Sequence, residues 1–157
     1  IEADNLKSPM NALPRSNPSI SNMTIIGSPK SAYGMLLRRG TSALIMNSII
    51  IGSGKACIDI DDVETYKNNG IKITNTLFQC QKNFEKENED LWSTEEIFLA
   101  QESNVTANAE FNKHLPTSTS PIYTGVTPDD LFFDTVEHIG AIESVKQDWS
   151  KGWTIAL

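Results

Sequence analysis

The sequence predicts an all-β solenoid built from parallel strands. Three observations carry that expectation. The first is a repeat: Ser19-Ile20-Ser21-Asn22-Met23-Thr24-Ile25-Ile26-Gly27-Ser28 aligns with Leu44-Ile45-Met46-Asn47-Ser48-Ile49-Ile50-Ile51-Gly52-Ser53 at an offset of 25, and a third copy, Lys72-Ile73-Thr74-Asn75-Thr76-Leu77-Phe78-Gln79-Cys80, follows 28 residues on. The second is another strand family between these copies, Gly34-Met35-Leu36-Leu37-Arg38-Arg39 against Ala56-Cys57-Ile58-Asp59-Ile60-Asp61, aligned at an offset of 22. The third is the coincidence of Asn22, Asn47 and Asn75 at one position of the repeat. Matching strands at unequal offsets describe coils whose loops vary in length, each coil lying about 4.8 Å above the last.

In chain order, residues 1–18 hold Pro9, Pro14 and Pro18 and read as an irregular arm. Residues 19–84 are short β-branched runs separated by Gly, Ser, Asn and Asp, the pattern of strands and turns. In this stretch Ile20, Ile45 and Ile73 are expected to stack in one corner of the core. Ile25, Ile50 and Phe78 stack in the next strand, and Leu36 and Ile58 on another wall. Asparagine tolerates turn conformations and stacked amides hydrogen-bond from coil to coil, so the three asparagines are placed at one bend. Residues 85–101 read as a helix, with Ser93 and Glu96 forming a capping box ahead of Ile97, Phe98 and Leu99, and with Leu91, Trp92, Ile97 and Phe98 packed on the coils. Residues 102–157 are loops ending in a cap, for which Trp149 and Trp153 are the candidates, because an open solenoid end exposes backbone and apolar edges.

The chain has 157 residues, 39% of them hydrophobic and 21% charged, enough apolar material for one core. A net charge of −7 repels phosphate backbones and anionic membranes, so nucleic acid is not an expected partner. No apolar run approaches the roughly 20 residues of a membrane span. The longest, Leu44 to Ile51, is interrupted by Asn47 and Ser48.

Several segments, taken in order, resemble the C-terminal part of secreted or lipoprotein-type bacterial β-helix proteins of uncharacterised function. They are Glu2-Ala3-Asp4-Asn5, Pro14-Arg15-Ser16-Asn17-Pro18, Ser21-Asn22-Met23-Thr24, Leu37-Arg38-Arg39-Gly40-Thr41 and Ile58-Asp59-Ile60-Asp61-Asp62. The ending, Ile139-Gly140-Ala141 followed by Asp148-Trp149-Ser150-Lys151-Gly152-Trp153-Thr154, belongs to the same pattern. The resemblance implies a right-handed parallel β-helix, export (secreted or attached to an outer membrane) and further coils upstream of Ile1 as the partner of the first strands. It implies no catalytic residues.

The acidic run Asp59, Asp61, Asp62 and Glu64 is the densest candidate site. Alternation puts Asp59 and Asp61 on one strand face, about 6.6 Å apart along the chain. Asp59, Asp61 and Asp62 are weak candidates for Ca²⁺, a hard cation that prefers carboxylates. The offset of 22 favours a plainer arrangement, a cross-strand ion pair between Arg39 and Asp61. No tightly bound metal and no cofactor is expected. Arg38, Arg39, Asp59 and Asp61 are also the weak candidates for catalysis, because arginine grips acidic sugars through their carboxylates. His114 and His138 stand at no metal spacing and are assigned to the surface. Strand parity sets Cys57 and Cys80 on opposite sides and favours two thiols, unless a bend undoes it.

Two functions follow as expectations. One is a non-catalytic exported surface β-helix, structural, adhesive or ligand-binding, with polysaccharide or cell-surface components as partners. The other is a carbohydrate-active enzyme, lyase or hydrolase-like, using the Arg/Asp patch. They differ in whether Arg38 and Arg39 are free beside the carboxylates or paired off.

Overall fold

The computed structural model describes residues 1–152 and residue 154. Strands come in short runs: β1 (Glu2–Asp4), β2 (Ser19–Ser21), β3 (Thr24–Ile26), β4 (Tyr33–Arg38), β5 (Ala43–Met46), β6 (Ile49–Ile51) and β7 (Ala56–Ile60). A short helix α1 (Val63–Lys67) precedes β8 (Ile71–Thr74) and β9 (Leu77–Gln79). Beyond them lie α2 (Thr94–Leu99), β10 (Val105–Thr106) and an antiparallel hairpin of β11 (Phe111–Asn112) and β12 (Leu115–Pro116). Three sheets are parallel throughout, in the orders β1-β4-β7, β2-β5-β8 and β10-β9-β6-β3. Each sheet therefore takes one strand from each successive pass of the chain.

The register of two sheets is the one the repeat predicts. Ile20 pairs with Ile45 and Ile45 with Ile73; Ile25 pairs with Ile50 and Ile50 with Phe78. Ile45, Ile73, Ile50 and Phe78 are fully buried in one apolar cluster. Asn22, Asn47 and Asn75 fall at the bend between these sheets with φ of 54°, 48° and 48°. Each left-handed residue turns the chain from one sheet into the next, a conformation asparagine adopts more cheaply than a β-branched residue. A fourth pass adds β10 to β9, and there Ser103, with φ 56°, stands at the same bend. That pass lies in the segment read from sequence as loop.

The third sheet corrects the alignment by one residue. Met35 pairs with Ile58, Leu36 with Asp59 and Leu37 with Ile60, an offset of 23 rather than 22. Met35, Leu37, Ile58 and Ile60 fill the core, and Leu36 lies on the outer face beside Asp59 instead of stacking on Ile58. Met35-Leu36-Leu37 is apolar at three successive positions, so alternation alone does not separate the two parities. The backbone does: Arg39 and Asp62, 23 apart, both have positive φ, 58° and 68°, where β4 and β7 end.

Three further expectations change. The arm is not wholly irregular, because β1 pairs with β4, Ala3 opposite Leu37. The helix expected over residues 85–101 is confined to Thr94–Leu99, since Ser93 takes the extended N-cap conformation and accepts the Glu96 N–H at 3.2 Å. Upstream of it Phe84 continues the first sheet, bridging to Ile58. Finally, Cys57 and Cys80 are joined in a disulfide, with Cα atoms 5.6 Å apart. Cys80 lies one residue past the end of β9, where the chain has turned and strand parity no longer applies.

Aromatic rings cover the core at the third pass. Phe98 of α2 stacks on Phe78 with ring centres 4.2 Å apart, and Phe84 tilts against both. Trp149 does not cover this end of the core: it is 55% exposed and donates its indole N–H to the Ala141 carbonyl at 2.6 Å, near β3. The rings of Phe84 and Phe98 already close the apolar surface that the cap was expected to meet. Trp153 lies outside the described residues.

Candidate functional site

The outer face of the β1-β4-β7 sheet gathers the sequence's charged candidates. Residues of like parity stand in rows across it: Glu2 beside Leu36 beside Asp59, and Asp4 beside Arg38. Arg38 donates from Nε to Asp4 Oδ1 at 3.0 Å and also pairs with Glu2; Arg39 pairs with Asp4. The expected Arg39–Asp61 ion pair does not form. The one-residue change of register and the left-handed backbone at Arg39 turn that side chain to the β1 side, where Asp4 meets it. The Arg39 backbone N–H instead donates to Asp62 Oδ2 at 2.8 Å, and Asp61 Oδ1 accepts the Asp62 N–H at 2.7 Å.

Asp59 is 2% exposed, which its place on an outer face does not foreshadow. Residues 82–85 return along β7 and cover it: Cys57 N–H donates to the Lys82 carbonyl at 3.1 Å, Ile58 N–H to Asn83 at 3.0 Å, and Glu85 N–H to Ile58 at 2.9 Å. The Asp59 Oδ1 atom is buried without a hydrogen-bond partner among the described residues. Burial pushes its pKa up to about 6, opposed by Tyr33 and reinforced by the charges of Asp61, Glu87 and Glu85. Burial also raises the Tyr33 phenol. The Lys55 ammonium contacts the Tyr33 hydroxyl and lies 3.7 Å from Glu85 Oε2, while Lys82 pairs with Glu85 Oε1. Burial disfavours the Glu85 carboxylate, but the Lys82 and Lys86 hydrogen bonds and the lysine charges outweigh it and lower its pKa.

Asp61 and Asp62 open into a groove whose other wall is residues 87–92. Trp92 is held there by its indole N–H, which donates to the Ile60 carbonyl at 2.9 Å, and by stacking on Tyr66 at 5.1 Å. Among the described residues, no group of three or more His, Cys, Asp or Glu is arranged to hold a metal ion. Asp59, Asp61 and Asp62, the calcium candidates, thus divide between a covered carboxyl and a turn.

Both histidines are half-buried. His114 Nε2 lies 3.6 Å from Asp148 Oδ2, and the Asp148 carboxylate is held below its usual range by Ser150 and by this histidine. His138 contributes its backbone, accepting from Asn22 Nδ2 at 2.8 Å.

A model of a pectate-lyase-like β-helix domain matches residues 1–154. The chain belongs to that family. No curated protein and no solved structure matches it. Membership in this β-helix family fits a surface or carbohydrate-related protein and agrees with the parallel sheets; by itself it assigns no activity. Among the described residues no helix of this β-helix is long and apolar enough to cross a membrane. Sequence reasoning missed the β-helix's covered carboxyl at Asp59 and the groove beside it. The signal available was Phe84-Glu85, one strand-like pair inside a segment read as helical.

Proposed function

We propose that the chain forms coils of a right-handed, non-catalytic β-helix that is exported to the cell surface, stacks on further coils of its own protein, and binds surface polysaccharide. The pairing of Arg38 and Arg39 with Glu2 and Asp4 is the observation that supports it. A lyase needs a free base and a charge neutraliser converging with carboxylates on an open groove. Here both guanidiniums are bound by carboxylates of β1, on the opposite side of Leu36 from Asp59. The deciding experiment incubates the protein with polyuronates and neutral polysaccharides, with and without Ca²⁺, and follows unsaturated products and reducing ends. No turnover is expected, and surface proteolysis of intact producing cells should reach the protein. Turnover abolished by Arg38→Ala or Arg39→Ala overturns the reading.

One observation favours the enzyme as a second reading: Asp59, with a pKa of about 6 beside Tyr33, is a carboxyl suited to proton transfer. In that case Asp59→Asn removes turnover while Arg38→Ala leaves it intact.

A further inference from the structure

Asn68, Asn69 and Gly70 lead from α1 into β8. The turn dictates what can stand at the last two positions. Asn69 has φ of 50°, in the left-handed region that asparagine enters more cheaply than most side chains. Gly70 is pressed against Ser42: a Cβ there would stand 2.8 Å from Ser42 Cβ and closer still to Ser42 Oγ. The Gly70 carbonyl also accepts the Ala43 N–H at 3.1 Å, where β5 and β8 begin to pair. The fold therefore sets the one Asn-Gly pair of the sequence in this turn.

The two neighbouring asparagines are held very differently. Asn68 Nδ2 donates to the carbonyls of Thr41 at 2.9 Å, Gly40 at 3.1 Å and Glu64 at 3.3 Å, and its Oδ1 accepts from Ser42 Oγ at 3.2 Å. Asn69 is exposed, and among the described residues its side-chain amide makes no hydrogen bond. Its backbone N–H donates to the Tyr66 carbonyl at 3.1 Å, but the next N–H, that of Gly70, donates to no acceptor among the described residues. The asparagines of the ladder resemble Asn68. Asn47, which a small residue (Ser48) also follows, is fully buried with both amide atoms bonded.

We infer that Asn69 is a site of spontaneous deamidation, the one asparagine that the folded chain leaves open to it. Asparagine is chemically labile, and its attacker is the backbone nitrogen of the following residue. Gly70 brings that nitrogen without a Cβ to hinder it, and its N–H proton is free to pass to a base in water. The nitrogen then bonds to Asn69 Cγ, the Cγ–Nδ2 bond breaks and ammonia leaves, closing a five-membered succinimide. Water adds to one of the two ring carbonyls and breaks its bond to nitrogen, leaving an aspartyl or an isoaspartyl residue at position 69. Both products carry one new negative charge. The isoaspartyl product also runs the main chain through the side-chain carbon, adding one backbone atom just ahead of β8. The tight packing of Gly70 on Ser42 and the left-handed backbone of Asn69 keep this pair in the turn, so the lability is built into the coil. The inference is independent of what the β-helix binds.

Peptide mapping by mass spectrometry tests this on the whole protein, incubated folded at mildly alkaline pH and, in parallel, unfolded in urea. In the folded protein the mass gain of an amide-to-acid exchange should appear at Asn69 about tenfold or more faster than at Asn68 or Asn47, which must first open locally. Two products of equal mass should separate by chromatography, one of them co-eluting with the same peptide from an Asn69→Asp variant. Unfolding in urea should narrow the gap by releasing Asn68 and Asn47. Conversion at position 69 in urea with none in the folded protein overturns the inference, because the turn then protects the amide. Equal rates at Asn68 and Asn69 in the folded protein overturn it as well, by showing that the hydrogen bonds of Asn68 make no difference. A single product, the aspartyl peptide alone, overturns the succinimide route.

Discussion

Asn75 donates its side-chain amide to the side-chain carbonyl of Asn47, one pass of the chain below, at 2.8 Å. Asn47 in turn donates to Asn22 at 3.4 Å, so the three amides form a ladder down one corner. The ladder has a second use. Asn75 Nδ2 also donates to the Thr124 carbonyl at 2.5 Å, Asn47 Nδ2 to Val126 at 2.7 Å, and Asn22 Nδ2 to His138 at 2.8 Å and Gly140 at 3.2 Å. The C-terminal segment thus descends the asparagine column and reaches the first pass, where the Ala141 N–H donates to Thr24 Oγ1 at 2.9 Å. Gly140 makes the approach possible: its φ is +83°, and a Cβ there would stand 2.7 Å from Ile49 Cδ1.

Asn47 is therefore the residue whose loss should cost most outside the apolar core. It is fully buried, and its Oδ1 also accepts the Val126 N–H at 3.0 Å. Asn47→Ala leaves buried partners unsatisfied and puts a Cβ residue without a stabilising amide at positive φ, for a loss of about 2–4 kcal/mol. Asn47→Gly should lose less, because the backbone conformation is then free of strain. Urea unfolding of both variants checks the order, and equal losses would show that the amide alone matters.

The corrected register has its own test. Leu37→Ala empties a fully buried position and should cost about 2–5 kcal/mol, whereas Leu36→Ala on the outer face should cost less than about 1.5 kcal/mol. The reverse order in denaturant titrations would restore the offset of 22.

Asp59 predicts a dependence of stability on pH. Its pKa is raised from 3.8 to about 6, so between these values the folded chain holds a proton that the unfolded chain has released. Stability from this group is complete below about pH 4 and is lost as pH rises through about 6, by roughly 1–3 kcal/mol. Asp59→Asn should flatten the slope between about pH 4 and 7 in thermal melts. An unchanged slope would assign it to other groups.

The disulfide closes a loop of sequence separation 23 and ties β7 to the turn after β9. Reduction, or the Cys57→Ala/Cys80→Ala variant, should lower stability by about 3 kcal/mol without changing the sheets. Unfolding followed with and without reductant, with circular dichroism for strand content, separates those two effects.

Sequence by itself determined the parallel stacking of β2, β5 and β8 and of β3, β6 and β9, because Asn22, Asn47 and Asn75 mark one left-handed bend in each pass and the isoleucines beside them keep a single parity. Where three apolar residues run together, as in Met35-Leu36-Leu37, alternation carries no parity, and only the pairing of whole strands decided which one faces inward. The partners of Arg38 and Arg39 were equally out of reach: Glu2 and Asp4 lie more than 30 residues away, on an arm whose prolines hide its strand. The burial of Asp59, the Cys57–Cys80 bond and the acidic groove all follow from residues 80–92 folding back along β7. Such a return depends on long-range burial and backbone pairing, which local pattern does not encode.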